Sequence, residues 1–289
     1  VLSCSLISKH HQPMTDESPR IAAIQMASGP NVSANLLEVE RLVGEAVEAG
    51  ARLAVLPENF GFMGKAERDL LTVKESEGVG RLQSFVAQLA RRHGIWMVAG
   101  TIPLQADEPD RARAACMVFN DQGERVARYD KIHLFDVYLV DTEEHYAESE
   151  TVEPGDRVVV LDTPFGRVGL AVCYDLRFPE MFRRMLDMGA EIFCLPAAFT
   201  AITGKAHWEI LVRARAIENL AYVVAAGQGG FHLSGRETYG HSMIVNPWGV
   251  VLGETSRGGA VVCAPVEGGY LQATRRRFPA LEHRRPDRF

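Results

Sequence analysis

The chain lacks the marks of several large protein classes. Its 289 residues hold five cysteines (Cys4, Cys116, Cys173, Cys194, Cys263), an odd number, scattered and without a Cys-x-x-Cys pair. That spacing speaks against a disulfide scaffold, a structural zinc site and a thioredoxin-like redox centre. The nine histidines include no His-Glu-x-x-His, and the adjacent His10-His11 cannot chelate as helical i, i+4 ligands do. No metal site is expected. A surplus of basic charge is missing as well: 31 Lys+Arg stand against 37 Asp+Glu, a net charge of −6. No basic stripe is available to replace phosphate counterions, so nucleic acid is not an expected partner. No apolar run approaches the roughly 18 residues of a membrane span, so no membrane is expected either. Scattered thiols of this kind have a reduced, cytoplasmic setting as their default reading.

What is present is an ordinary globular balance, 47% apolar and 24% charged, at a length that can bury a sizeable core. Residues 1–19 are set apart: mildly apolar Val1–Ile7 has no basic segment before it and no small-residue cleavage site after it. The stretch is read as a disordered leader or upstream sequence, with Met14 a candidate start. From Arg20 onward strands alternate with helices. Arg20–Met26, Arg52–Leu56 and Ile95–Ala99 read as buried strands, and Ser33–Ala49 and Gly80–His93 as helices closed by Gly50 and Gly94. Ala114–Phe119 and Arg125–Asp130 form a hairpin around Asn120-Asp121-Gln122-Gly123, and Val158–Leu161 with Arg167–Val172 another. Lys131–Gly155 shows no period, and an irregular stretch of that length inside a domain is usually functional or disordered.

The second half resumes the alternation. Helices are expected over Phe178–Met188 and Ala206–Leu220, and strands over Ile192–Leu195, Ala221–Ala226, Tyr239–Val245, Val250–Gly253 and Ala260–Ala264. In the second helix Ile210, Leu211, Ala214 and Ile217 read as a packing face, and Glu209 pairs with Arg213 at helical spacing. No linker divides the chain, so an α/β protein of one domain is expected, residues 20–289 with a tail over 271–289.

Three residues share one kind of position. Cys173 follows the strand ending at Val172, Glu58 follows Arg52–Leu56, and Lys131 follows Arg125–Asp130. Ligands of open α/β sheets gather at such carboxyl ends. Singly, each has a bland alternative: a buried small hydrophobe, a helix-capping Glu, a solvated Lys. Together a thiol, a base and a cation are what covalent attack on an amide requires. Nearby helix N–H groups and Lys131 would favour a thiolate at Cys173. His133 and His241 read as structural rather than as bases, since a carboxylate is at hand. Arg177 can fork onto a substrate carboxylate or pair with Asp175 or Glu180.

The segments Leu-Pro-Glu-Asn at 56–59, Tyr-Asp-Lys-Ile-His-Leu-Phe-Asp at 129–136 and Gly-Leu-Ala-Val-Cys-Tyr-Asp-Leu-Arg-Phe-Pro-Glu at 169–180 resemble the three signatures of the nitrilase, or carbon–nitrogen hydrolase, superfamily. The resemblance spans roughly residues 20–288. It implies a four-layer αββα sandwich, usually dimerised, with Cys173 as nucleophile, Glu58 as general base and Lys131 as oxyanion support. The second glutamate of the family matches Glu148, with Glu143, Glu144 and Glu150 as competitors. Residues 198–218, 239–249 and 283–287 resemble the amidase branch that contains the deaminated-glutathione amidases and the nitrilase part of Nit–Fhit fusions. By the same resemblance Tyr174, Phe199 and Thr203 line the substrate pocket, Gln228–Thr238 lies near a specificity loop, and the arginine-rich tail docks across a dimer. Lys205 departs from the family's usual Pro, which bears on the pocket rim.

The expectation is a cofactor-free cysteine amidase acting through a thioester on a small, carboxylate-bearing amide, with deaminated glutathione first. A homodimer or higher homo-oligomer goes with it. Omega-amidase action on 2-oxoglutaramate, an N-carbamoyl hydrolase, and a non-catalytic binding protein on the same fold stay open as rivals.

Overall fold

The alternation along two strands explains the layering. In the strand Arg20–Gln25, Ile21 and Ala23 face one core while Ile24 faces another. Ala112–Phe119 repeats this, with Cys116 and Val118 on one side and Ala115, Met117 and Phe119 on the other. A strand apolar on both faces is covered on both. The computed structural model describes residues 18–139 and 144–285. Residues 1–17 of the expected leader, Cys4, Met14, Glu143 and the last four tail residues lie outside the described residues.

The first half runs β1 (Arg20–Gln25), α1 (Val32–Glu48), β2 (Ala51–Val55), α2 (Arg81–His93), β3 (Trp96–Val98), β4 (Ile102–Gln105), β5 (Ala112–Phe119), β6 (Arg125–Asp130), β7 (Asp136–Leu139) and β8 (Glu144–Ala147). The second runs β9 (Val160–Thr163), β10 (Gly166–Leu170), α3 (Pro179–Asp187), β11 (Ile192–Ala197), α4 (Ala201–Asn219), β12 (Tyr222–Gly227), β13 (Gly229–Phe231), β14 (Glu237–Tyr239), β15 (Met243–Val245), β16 (Val251–Glu254), β17 (Ala260–Pro265) and α5 (Gly268–Arg277). One sheet is ordered β17-β1-β2-β3-β5-β4 with β6 on β5, the other β16-β15-β12-β11-β10-β9. The strands β1, β2 and β3 are parallel neighbours, as are β10, β11 and β12.

The two sheets pack face to face through Ile21, Ala23, Leu53 and Val55 on one side and Cys194, Val224 and Ile244 on the other. On the outer face of the first sheet, α1 and α2 bury Leu36, Val39, Leu42, Leu82, Val86 and Leu89. On the outer face of the second, α3 and α4 bury Phe182, Met185, Trp208, Val212 and Ala216. The fold is the expected αββα sandwich. Each of the buried Val, Leu, Ile, Met and Phe side chains contributes about 1.5–3 kcal/mol by leaving water. No helix among the described residues is long and apolar enough to cross a membrane.

Several local expectations change. The α4 helix begins at Ala201, five residues early, because Thr200 caps it by accepting from the Thr203 N–H. Its buried face is Trp208, Val212, Arg215, Ala216 and Asn219, whereas Ile210 and Ile217 are exposed. Of the expected packing face Ile210 and Ile217 are therefore turned outward, whereas Leu211 packs against the core. The expected strand Tyr239–Val245 is broken at Gly240 and His241, both at positive φ (+75° and +52°). The described part of the tail forms α5 and folds back on its own chain. There Arg275 donates to the Leu220 and Ala190 carbonyls, and Arg284 pairs with Asp187.

Candidate active site

Each of the three sheet-end residues is delivered by a different backbone device. After β2 the chain turns at Asn59, whose φ of +58° aims Glu58 away from the sheet. The Asn59 N–H is held by Thr101 Oγ1 at 2.9 Å, and Gln228 Nε2 donates to the Glu58 carbonyl at 2.9 Å. Lys131 leaves β6 directly, its N–H on the Ala114 carbonyl at 3.1 Å. Cys173 opens a short 3-10 turn, Cys173–Arg177, with φ at +48°, a conformation most side chains avoid.

The turn is pinned from behind by Asp175, which is fully buried. Its carboxylate accepts from Tyr129 Oη at 2.6 Å, from the Val172 N–H at 2.8 Å and from the His133 N–H at 3.1 Å. His133 Nδ1 lies 2.7 Å from the same carboxylate, and its ring stacks on Phe178 at 3.7 Å. His133 therefore does not point with Lys131, as strand alternation would have it, because β6 ends at Asp130. His241 is half-buried outside any strand and contacts Glu254 at 2.6 Å, so it is not a core histidine.

All four expected catalytic side chains line one cavity of about 700 Å³. The Lys131 ammonium, itself buried, donates to Glu58 Oε1 at 2.8 Å and to both Glu148 oxygens at 2.8 and 2.9 Å. Glu148 sits in a 3-10 turn after β8 and also accepts the Phe135 N–H at 2.7 Å. Of its competitors, Glu150 is exposed at the cavity wall and Glu144 has only its backbone described. The Ala198 N–H points at Cys173 Sγ, 3.4 Å away.

Burial would lower the Lys131 pKa, but Glu148, then Glu58 and Cys173, outweigh it and hold the ammonium well above its ordinary value. Burial raises the Glu148 carboxyl more than Lys131 lowers it. The Cys173 thiol is pushed well up, first by burial and then by the Glu58 carboxylate, against the pull of Lys131 and the Ala198 N–H. The buried carboxylate opposes the cation and the helix N–H groups expected to favour a thiolate, which leaves the sulfur in need of a base, the role expected of Glu58.

The expected pocket residues are present in the same wall. Tyr174, Arg177, Phe199 and Thr203 all line the cavity. Arg177 has its guanidinium over Phe199 and Tyr174, at 5.2 and 5.8 Å, and 3.2 Å from His207 Nδ1. The described residues show no ion pair from Arg177 to Asp175 or Glu180. Thr203 Oγ1 is engaged with Thr200 Oγ1 at 2.8 Å. Lys205 is exposed and outside the cavity lining, so the departure at that position leaves the rim untouched. Sequence reasoning missed Thr101, and it named Gln228 and Arg236 only as part of the segment Gln228–Thr238 near a specificity loop, without a role for either. Among the described residues no group of three His, Cys, Asp or Glu side chains is gathered as metal ligands.

Comparison with known proteins agrees with this geometry. The family profile described as carbon-nitrogen hydrolase matches residues 20–276. The chain is 41% identical to the deaminated glutathione amidase of Yersinia enterocolitica over 270 residues, 93% of this chain and 94% of that one. It is 42% identical to the human protein of the same name over 275 residues, 94% of this chain and 84% of that one. The crystal structure of the C. elegans NitFhit protein superposes with a TM-score of 0.86 at 34% identity, over 96% of this chain and 67% of that one. A thiol, an ammonium and a carboxylate at strand ends of a two-sheet sandwich, with a second carboxylate on the ammonium, and these matches over nearly the whole chain make it a member of the carbon–nitrogen hydrolase family.

Proposed function

We propose that this hydrolase cleaves the amide of deaminated glutathione to 2-oxoglutarate and cysteinylglycine, a metabolite-repair reaction. The names of the relatives support the substrate. The observation that carries the chemistry is the Lys131 ammonium, bonded at once to Glu58 and Glu148 in the cavity that holds Cys173. Glu58 takes the thiol proton as Sγ attacks the amide carbonyl. The oxyanion is held by Lys131 and the Tyr174 backbone N–H, and Glu148 keeps Lys131 in place. Collapse expels the amine with the proton from Glu58, leaving a thioester. Glu58 then deprotonates a water that attacks the thioester, and 2-oxoglutarate leaves as the thiol regains its proton. No cofactor enters these steps.

The unit doing this work is residues 20–289, and its oligomer is proposed to be a dimer. Exposed Ile210 and Ile217 lie two helical turns apart, Gly249 lies against Ile217, and the neighbouring Trp248 stacks edge to face on Phe278. Exposed apolar side chains of this size are of the kind an interface covers.

The test is 2-oxoglutarate release from deaminated glutathione and from 2-oxoglutaramate, side by side. A kcat/KM preference of about a hundredfold for the first, or about 2.7 kcal/mol, is the expected result. Cys173→Ala should release none while keeping its circular dichroism. The opposite preference would reassign the substrate to the ammonia-releasing amide, and a fully active Cys173→Ala would remove the mechanism.

A further inference from the structure

Deaminated glutathione carries two carboxylates, one on the acyl part and one on the leaving dipeptide. Six cationic side chains line the cavity: Lys65, Arg68, Lys131, Arg113, Arg177 and Arg236. Lys131 is taken by Glu58 and Glu148, and Arg113 by Asp107 and Glu153. Lys65 and Arg68 are exposed. Arg177 and Arg236 remain, both half-buried, and among the described residues neither has a carboxylate partner.

Arg236 is the more unusual of the two. It sits in the turn between β13 and β14, a hairpin outside both main sheets. Its Nη2 donates to the Ala198 carbonyl, and its guanidinium lies 5.2 Å from the Tyr146 ring centre. Its Nε is buried and has no acceptor among the described residues. A cation at a cavity wall with no carboxylate of its own is a place for an anionic group of a ligand. The two guanidiniums rest on consecutive residues, Ala198 under Arg236 and Phe199 under Arg177. Ala198 in turn donates to the nucleophile. Arg177 belongs to the nucleophile's own turn. Arg236 belongs to a hairpin whose neighbouring residues Ser234 and Gly235 are exposed at the cavity wall, where the outward-reaching part of a bound amide would lie.

We propose that Arg236 binds the carboxylate of the leaving amine, and so selects amides that carry a carboxylate on both sides of the scissile bond. The inference rests on the substrate proposed above. A guanidinium fork presents two parallel N–H donors to a carboxylate, and a charged hydrogen bond of this kind distinguishes it from a neutral amide by about thirtyfold.

The experiment compares kcat/KM on deaminated glutathione with that on its analogue bearing a terminal carboxamide in place of the glycine carboxylate. The parent enzyme is expected to prefer the carboxylate by about thirtyfold, and Arg236→Gln to lower that preference below about threefold. Arg236→Lys, which keeps the charge without the fork, should fall between them. Equal loss on both substrates would overturn the proposal, because a purely structural role through Ala198 does not read the terminal carboxylate. A preference in Arg236→Gln as large as the parent's would overturn it too. If the parent turned over deaminated glutathione in either case, the proposed function would stand while this inference fell. If the parent turned over neither substrate, both would fall.

Discussion

Cys194 and Cys116 are fully buried thiols with no part in the proposed chemistry, and they couple the core to pH. Burial pushes Cys194 up to about 12 and Cys116 well above its ordinary range. A thiol with a raised folded pKa keeps its proton at a pH where the unfolded chain has already released it. Its stabilising share is therefore complete below the ordinary thiol range and is lost as pH rises toward the folded value. Urea midpoints should hold steady near about pH 8 and fall above about pH 9, by about 1.4 kcal/mol per pH unit for each thiol. Cys194→Ala should flatten that slope by one thiol's share, and an unchanged slope would count against the assignment. The reactive residues themselves were readable because Glu58, Lys131 and Cys173 each follow an apolar strand. Glu148 was readable only through the resemblance, since the turn that carries it has no periodicity. The upward push on the Cys173 thiol was not readable at all, because it depends on burial and on a carboxylate more than a hundred positions away in sequence.

Among the elements, α4 shows what packing adds to pattern. Gly204 lies where this helix meets β14, and a Cβ there would stand 2.2 Å from the Tyr239 Cβ. Gly44 in α1 has nothing within 4 Å of the same added atom. Gly204→Ala is expected to destabilise by about 1–3 kcal/mol through displacement of the helix. Gly44→Ala is expected to stabilise by about 0.5–1 kcal/mol, since only helix propensity changes. Paired thermal melts check both, and a neutral Gly204→Ala would mean the helix can shift freely. The helices with alternating apolar faces, α1 and α2, were legible almost to the residue. The three-residue strands β13 and β14 were not, because segments so short, the first of them glycine-rich, carry no hydrophobic period. The exposed face of α4 was misread because Ile210 and Ile217 are apolar yet exposed. Periodicity reports that a face is apolar, not what covers it.

For the whole molecule, that face is the clearest expectation of assembly. Ile210→Glu should shift the sedimentation coefficient from dimer to monomer without altering the circular dichroism, and an unchanged coefficient would place the interface elsewhere. The sandwich has a further consequence. Glu58 and Lys131 extend from β2 and β6 of one sheet, while Cys173 extends from β10 of the other. The base and the cation are thus mounted on one plate and the nucleophile on the second, and the packing between the plates, with ties such as Tyr129 on Asp175 and Gln228 on the Glu58 carbonyl, fixes their alignment. Turnover then serves as a gauge of slip between the layers: substitutions that let one sheet slide on the other would silence the enzyme while every strand and helix remained intact.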